Sequence, residues 1–347
     1  MQRKSFASIE LKIHPNINDC VFDFKNTSLD SKENEQIVEE MMGVFFEKIP
    51  KENDGTGEWE WLQKRKQNNF IDALYRGKIN VVSKFLTNMF RNEATYGYLS
   101  PSFLDAVSSP DSVKSDILCN IDSCFEFSDI SDVVDLTSDC GNPYGLKIDE
   151  RFVLPDTPRH FYYSYNICKL LENVTTPILI EIGGGYGGLC LQNWKRFKGN
   201  CTIVNIDLFP ALAVTYFYLI KNGIPVNLVT EKKCEVKEKM VNLILADEVK
   251  NLWKKVPRSD LIFNSRSLCE MDENTISDYF NLINFSKTKF FYHENSNYLL
   301  FPNSERHVEV VADKFPIDRK KFKLLSKYLT PFTGGSGRYR EYIYKGL

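Results

Sequence analysis

Residues 178–188 run Ile-Leu-Ile-Glu-Ile-Gly-Gly-Gly-Tyr-Gly-Gly, and no other stretch of the 347-residue chain restricts its fold as tightly. Ile178 to Ile182 is a short, β-branched apolar run suited to a strand buried on both faces. Five of the next six positions are glycine, and Leu189 to Trp194 then resumes at helical spacing. Strand, glycine turn and helix is the geometry that brings backbone close to a ligand and points a helix N-terminus at it. As an ordinary connection, so many glycines would be a costly choice, because each loses more backbone freedom on folding than any other residue.

The run fits two ligand patterns. Gly183, Gly185 and Gly188 satisfy G-x-G-x-x-G, the dinucleotide fingerprint. Glu181, Gly183, Gly185 and Gly187, with Gly184 between them, satisfy acid-x-G-x-G-x-G, the first motif of S-adenosylmethionine (SAM)-dependent methyltransferases. Glu181 separates the two, because a carboxylate inside a buried strand costs free energy unless something answers it. A pyrophosphate is itself negative, whereas a sulfonium cofactor with an ammonium group suits a carboxylate. Thr202 to Asp207 is a second short apolar strand ending in an acid. It lies close to the ~20-residue offset at which an acid reaches ribose hydroxyls. Leu208 adjoins it on the expected cofactor path. The plainer role for Asp207 is to cap the next helix, where Pro210 takes a first-turn position.

A formal net charge of −2 gives no electrostatic footprint for nucleic acid. The locally basic stretches, Lys232-Lys233 and Arg319-Lys320-Lys321, are mixed with acids and read as solvated surface. The first residues lack the apolar core of a secretory signal, and no run reaches the ~20 apolar residues of a membrane span. A cytoplasmic location is therefore expected. The nine cysteines are scattered. Cys119 and Cys124 have no second pair or histidine cluster to complete a zinc site, so reduced thiols and no tightly bound metal are expected.

Spacing predicts a polar arm over 1–34, helices over 35–48, 58–76 and 79–90, and a loop-rich connector with short helices to about 155. Trp59 and Trp61 are expected in the core or at a domain contact. Further on, helix 159–171 precedes strand 178–182. Strand 202–207, helix 210–222, strands 226–230, 241–245 and 261–264, a helix capped by Asp272 and strand 289–293 follow. Such alternation predicts an α/β, Rossmann-like, doubly wound and mostly parallel sheet covered on both faces. Segments 323–329 and 338–344, joined across a glycine-rich turn, add an antiparallel C-terminal strand pair. The expected division is a mainly helical N-terminal region, 1–155, and a methyltransferase domain, 156–347.

Three segments together resemble the sugar O-methyltransferase family, whose members sit among bacterial surface-polysaccharide functions. They are Glu181 to Gly188, then Asn264-Ser265-Arg266-Ser267-Leu268-Cys269-Glu270-Met271, then Tyr292-His293-Glu294-Asn295. Gly141-Asn142-Pro143 and Asp156-Thr157-Pro158-Arg159 extend the likeness, which covers roughly residues 140 to 345. Two departures are Leu268, where the family carries an aromatic, and Phe209, inserted before Pro210. The resemblance implies SAM as cofactor and a sugar hydroxyl of a nucleotide- or lipid-linked glycan as methyl acceptor.

A sugar hydroxyl is weakly acidic, so its methylation calls for a positioned base. In open α/β sheets such a group belongs at the carboxyl ends of the strands. Glu270, shortly after strand 261–264, and His293, at the end of strand 289–293, are the candidates. Glu294 would orient His293 or bind a sugar hydroxyl, and His160, in the helix before the glycine strand, is either cofactor-facing or a partly exposed helical histidine; these two would supply the base if Glu270 and His293 do not. The plainer role for Glu270 is a helix first-turn acid, and for His293 a hydrogen-bonded core residue. Arg159 and Tyr162, three apart and so on one helix face, would close over the cofactor's carboxylate and adenosine. Asp247 would accept from the adenine amino group, and Asn264 and Ser265 complete the expected cofactor set. Two other functions fit the same glycines: a nicotinamide-dependent oxidoreductase or epimerase, and a non-catalytic binding protein on a methyltransferase fold.

Overall fold

The computed structural model describes residues 21–45, 58–122, 124, 136–137, 140–148, 151–255, 258–298, 310–332 and 338–347. The expected arm before residue 21, the end of the first predicted helix and the predicted turn over 333–337 lie outside them.

The N-terminal part opens with β1 (Val21–Asp23) and α1 (Glu35–Phe45), which buries Val38, Met41, Met42 and Phe45 at helical spacing. The helix predicted over 58–76 is two, α2 (Glu58–Lys66) and α3 (Asn68–Tyr75). They break at Gln67, whose buried amide donates to the carbonyls of Ala94 and Tyr96 instead of facing solvent. Next come α4 (Ile79–Thr87), α5 (Phe103–Ser108) and α6 (Pro110–Asp122). The connector holds strands as well as helices. β2 (Leu136–Thr137), β3 (Gly145–Ile148) and β4 (Arg151–Val153) join β1 in a small antiparallel sheet of order β1-β3-β4-β2. Strands this short show too little alternation to be read from sequence.

α7 (Thr157–Leu170) leads into the main sheet, with Pro158 in its first turn. The sheet is built from β5 (Ile178–Ile182), β6 (Thr202–Asp207), β7 (Val226–Val229), β8 (Val241–Leu245), β9 (Leu261–Ser265), β10 (Phe290–Ser296), β11 (Phe322–Leu329) and β12 (Tyr339–Gly346). Its order is β11-β12-β10-β9-β5-β6-β8-β7. Strands β5 to β10 are parallel, and β12 runs antiparallel to both β10 and β11. The fold is therefore the predicted Rossmann-like α/β sheet with an antiparallel C-terminal pair.

Alternation along the strands decides which layer each residue feeds. Leu179, Ile203, Leu243 and Phe263 pack under α7, α8 (Gly188–Arg196) and α9 (Phe209–Lys221). Their neighbours Ile180, Val204, Ile244 and Ile262 pack on the opposite face, with α10 (Val249–Leu252) and α11 (Glu273–Phe285). From β5 the chain runs through β6 to the edge strand β7 and back to β8, then crosses to the other side of β5 through β9 to β10. Connections leaving β5 and β9 therefore diverge, which opens a crevice at the carboxyl ends of these strands. Among the described residues no helix is long and apolar enough to cross a membrane.

Candidate active site

A cavity of about 660 Å³ fills that crevice. On one side it is walled by the tips of β5 and β6: Glu181, the Gly183-Gly184-Gly185 run, Asp207 and Leu208. Gly185 adopts a left-handed backbone, φ 59°, which an L side chain rarely tolerates. Its N–H donates to Asp207 at 2.9 Å, and the Leu208 N–H donates to the other carboxylate oxygen at 2.8 Å. The acid and the glycine loop thus fix each other. Glu181 is buried and accepts from the Cys190 thiol at 3.1 Å. Burial pushes both carboxyls up, each to about 7, with Asp207 adding to the rise at Glu181. Two acids with so little internal compensation, on one cavity wall, suit a ligand that carries a cation and hydroxyl donors.

Charged and polar groups from α7, β9 and β10 make the opposite wall. Arg159 pairs with Asp156 at 3.1 Å and donates to Ser265 Oγ at 2.9 Å. Ser265 donates to Glu294 at 2.8 Å, and Arg266 reaches the same carboxylate at 3.2 Å. Burial alone would raise Glu294, but Arg266 and Arg159 outweigh it and hold the carboxyl below its ordinary range. Asn264, also fully buried, donates to the Ile182 carbonyl at 2.8 Å and to Ser267 at 2.6 Å, and accepts from Asn295 at 2.8 Å. The two segments Asn264–Met271 and Tyr292–Asn295, far apart in sequence, therefore form one hydrogen-bonded floor.

Most of the expected cofactor residues line the cavity: Arg159, Glu181, Gly183, Gly184, Gly185, Asp207, Leu208, Asp247 and Ser265. Three do not. Gly187 caps α8 in a left-handed turn, φ 88°, against Thr215, and shapes the loop from behind. Asn264 is the clamp just described. Tyr162 turns away from Arg159 toward Phe332 and Tyr163, with ring centroids 5.3 and 5.6 Å away. Residues three apart share a helix face only loosely, and here Arg159 takes the cavity side.

The catalytic candidates separate as sharply. Glu270 lines the cavity, in the 3-10 turn Leu268–Glu270. It does not cap α11, because Asp272 does so by accepting from the Thr275 N–H at 2.9 Å. His293 is fully buried outside the cavity, stacked on Tyr342 at 4.6 Å and packed near Phe291 and Phe315. Burial pushes its pKa down to about 3. The expectation that it removes a proton is corrected on both counts: its ring is sealed among Tyr342, Phe291 and Phe315, and its Nδ1 lies 3.4 Å from the buried Asn295 amide rather than at the cavity. Glu294 faces the right way but lies behind Ser265 and Arg266 with no exposure, so it neither orients His293 nor lines the cavity. His160 lines the cavity, its Nδ1 3.2 Å from the Tyr186 hydroxyl. Burial and the Arg159 charge push its pKa down to about 3, leaving a neutral imidazole of low basicity.

Sequence reasoning missed the roof. Trp59, expected in the core or at a domain contact, lines the cavity with its ring stacked on Tyr98 at 5.0 Å. Tyr98 in turn packs over Gly185. Ser100 lines the same wall and ties it to α7 by donating its N–H to Asp156 at 3.1 Å. The segment 96–105 has no periodicity that would have marked it. Arg266 and Tyr339 complete the cavity's far end, and only Arg266 stood inside a motif.

No family model and no curated protein matches the chain. Among solved structures, it is similar to the methyltransferase domain of bacterial CtHen1, at 13% identity and TM-score 0.35, over 53% of this chain and 97% of that one. It is similar to the mitomycin 7-O-methyltransferase MmcR at 11% identity and TM-score 0.37, over 56% of each chain. It is also similar to the magnesium protoporphyrin IX methyltransferase ChlM from Synechocystis, solved with bound SAH. There the identity is 11% and the TM-score 0.38, over 55% of this chain and 84% of that one.

Proposed function

We propose that this chain is a SAM-dependent O-methyltransferase acting in the cytoplasm on a sugar hydroxyl of a nucleotide- or lipid-linked glycan. The observation that carries the cofactor assignment is the pairing of Glu181 and Asp207, both pushed up to about 7, across the glycine loop in one cavity. A ribose answers Asp207 in either cofactor, but an ammonium group answers Glu181, which a dinucleotide's pyrophosphate does not. The acceptor class follows from the resemblance of the segments that meet in the floor. We further propose that 156–347 is the catalytic domain and that 1–155 covers it. The main sheet lies wholly in the former, and Trp59 and Tyr98 reach the cavity from the latter.

SAM supplies a methyl group already activated by its sulfonium. The residues of this chain do the rest. Glu181 and Asp207 would hold the cofactor's ammonium and ribose ends, and Asp247 would accept from its adenine amino group. Arg159, fixed by Asp156 and Ser265, presents a guanidinium to the cofactor's carboxylate. Glu270 removes the acceptor's hydroxyl proton as the bond to carbon forms, and holding the two reactants in line supplies much of the acceleration.

Calorimetry of the full chain with S-adenosylhomocysteine (SAH) and with NAD tests the cofactor. Binding of SAH without NAD is expected, and the reverse result would make the chain an oxidoreductase or epimerase. Mass spectrometry of nucleotide sugars and lipid-linked glycans incubated with protein and SAM tests the acceptor. Transfer to a non-sugar hydroxyl alone would discard the glycan.

The raised carboxyls also predict a pH dependence. A ligand ammonium favours the carboxylate, so binding below pH 7 must expel a proton. SAH affinity should therefore weaken about tenfold for each pH unit below 7 per proton expelled, and Glu181→Gln should flatten the slope. Folding responds with the opposite sign. A raised carboxyl pKa means that the folded chain binds protons where the unfolded chain has released them. The free protein should thus lose stability as pH rises from about 4 through 7, with SAH reducing the loss. A flat SAH titration between pH 6 and 8 would remove Glu181 from the binding site.

A further inference from the structure

We infer that Arg266 is an oxyanion subsite for the acceptor, so that the molecule methylated carries a carboxylate or a phosphate near its reacting hydroxyl. This rests on the methyltransferase reading of the same cavity. Arg266 follows β9 directly and holds a left-handed backbone, φ 65°, a conformation uncommon outside glycine and concentrated at functional sites. It is held there on several sides. Its N–H donates to the Glu294 carbonyl at 2.7 Å, its Nη2 donates to the Phe332 carbonyl at 3.0 Å, and its guanidinium lies over the Tyr339 ring at 4.4 Å.

The direction of the ion pair decides the chemistry. Glu294 is fully buried behind the wall, whereas the Arg266 side chain is 22% exposed and lines the cavity. A ligand therefore meets the guanidinium and not the carboxylate. Nε and Nη2 are spent on Glu294 and Phe332, and among the described residues the Nη1 edge has no hydrogen-bond partner. A planar guanidinium in the cavity lining, with its Nε and Nη2 bonded and its Nη1 donors unspent, is pre-organised to bind an oxyanion. Arg159 stands beyond Ser265 and is assigned to the cofactor, which leaves Arg266 for the acceptor. Merely pinning Phe332 and Tyr339 would need those two contacts but not unspent Nη1 donors on a side chain that lines the cavity.

The test uses the full chain saturated with SAH and titrated separately with inorganic phosphate, glucuronate and glucose. At least one anion should bind about tenfold or more tighter than glucose, and which anion does so separates a phosphate-bearing acceptor from a carboxylate-bearing one. Arg266→Gln should abolish the preference while SAH affinity stays within about twofold of wild type. Arg266→Lys, which keeps the charge and loses the fork, should retain part of it. Equal binding of the anions and glucose by the wild type, or an undiminished preference in Arg266→Gln, would overturn the proposal. So would a parallel loss of SAH binding in both variants, which would assign this guanidinium to the cofactor. Repeating the anion titrations without SAH keeps the two readings apart. A wild type that binds no SAH yet prefers an anion through Arg266 refutes the cofactor and leaves the subsite standing.

Discussion

Exchanging Glu270 for Gln is expected to lower turnover by roughly 10²–10⁴-fold, the usual worth of a positioned general base, while SAH affinity hardly moves. Four side chains were candidates for the proton, and the structure separates them physically. His293 is sealed in the aromatic cluster of Tyr342, Phe291 and Phe315, and Glu294 is locked under Arg266 and Ser265. His160 reaches the cavity but is driven to about 3 by burial beside Arg159. Glu270 lines the cavity and is not the cap of α11. Had it served the helix dipole instead, Glu270→Gln would cost about 0.3–1 kcal/mol of stability with near-normal turnover. His293→Phe should keep turnover close to wild type, because Phe preserves the stack with Tyr342. Full activity in Glu270→Gln would transfer the role to His160, which His160→Ala would then reveal.

The parts of this fold that were legible in sequence are those where one period dominates. β5, β6, β8 and β9 are buried on both faces and read as continuous apolar runs, and the glycines mark the turn after β5 without ambiguity. The antiparallel end of the sheet was legible from two strand-like segments flanking a glycine-rich turn. The small sheet of β1 to β4 was not, because its strands span two to four residues and β1 finds its partner β3 more than a hundred positions away. At the site, position along a strand was readable but facing was not. His293 and Glu294 are neighbours in sequence and point to opposite faces, so a motif containing both could not say which mattered. Tyr162 fails for the helical version of the same reason. The roof, Trp59 and Tyr98, depends on tertiary packing of an aperiodic segment, which leaves no periodic signal in the sequence.

The second large effect concerns the glycine loop and the acid it holds. Gly185→Val and Asp207→Ala should each weaken SAH binding, the latter by roughly 10–150-fold, equivalent to the ~1.5–3 kcal/mol of hydrogen bonds to a charged group. Valine should do worse. A β-branched residue at φ 59° incurs about 1–2 kcal/mol of backbone strain, and its Cβ would lie 3.4 Å from Tyr98 Cβ. That Cβ only touches Tyr98, but valine's γ-methyl groups extend beyond it, and relieving both the strain and this crowding shifts the loop and weakens the 2.9 Å bond from the Gly185 N–H to Asp207. Loss of the Asp207 side chain acts from the other end, because it leaves the Gly185 and Leu208 N–H groups without their acceptor. Both variants should still unfold cooperatively, since the sheet beneath is packed on both faces by residues that neither substitution touches. Calorimetry with SAH, alongside a thermal melt, separates lost binding from lost structure. Unchanged affinity in both variants, with the fold intact, would mean that the glycine turn holds a different ligand, and the SAM assignment would fall with it.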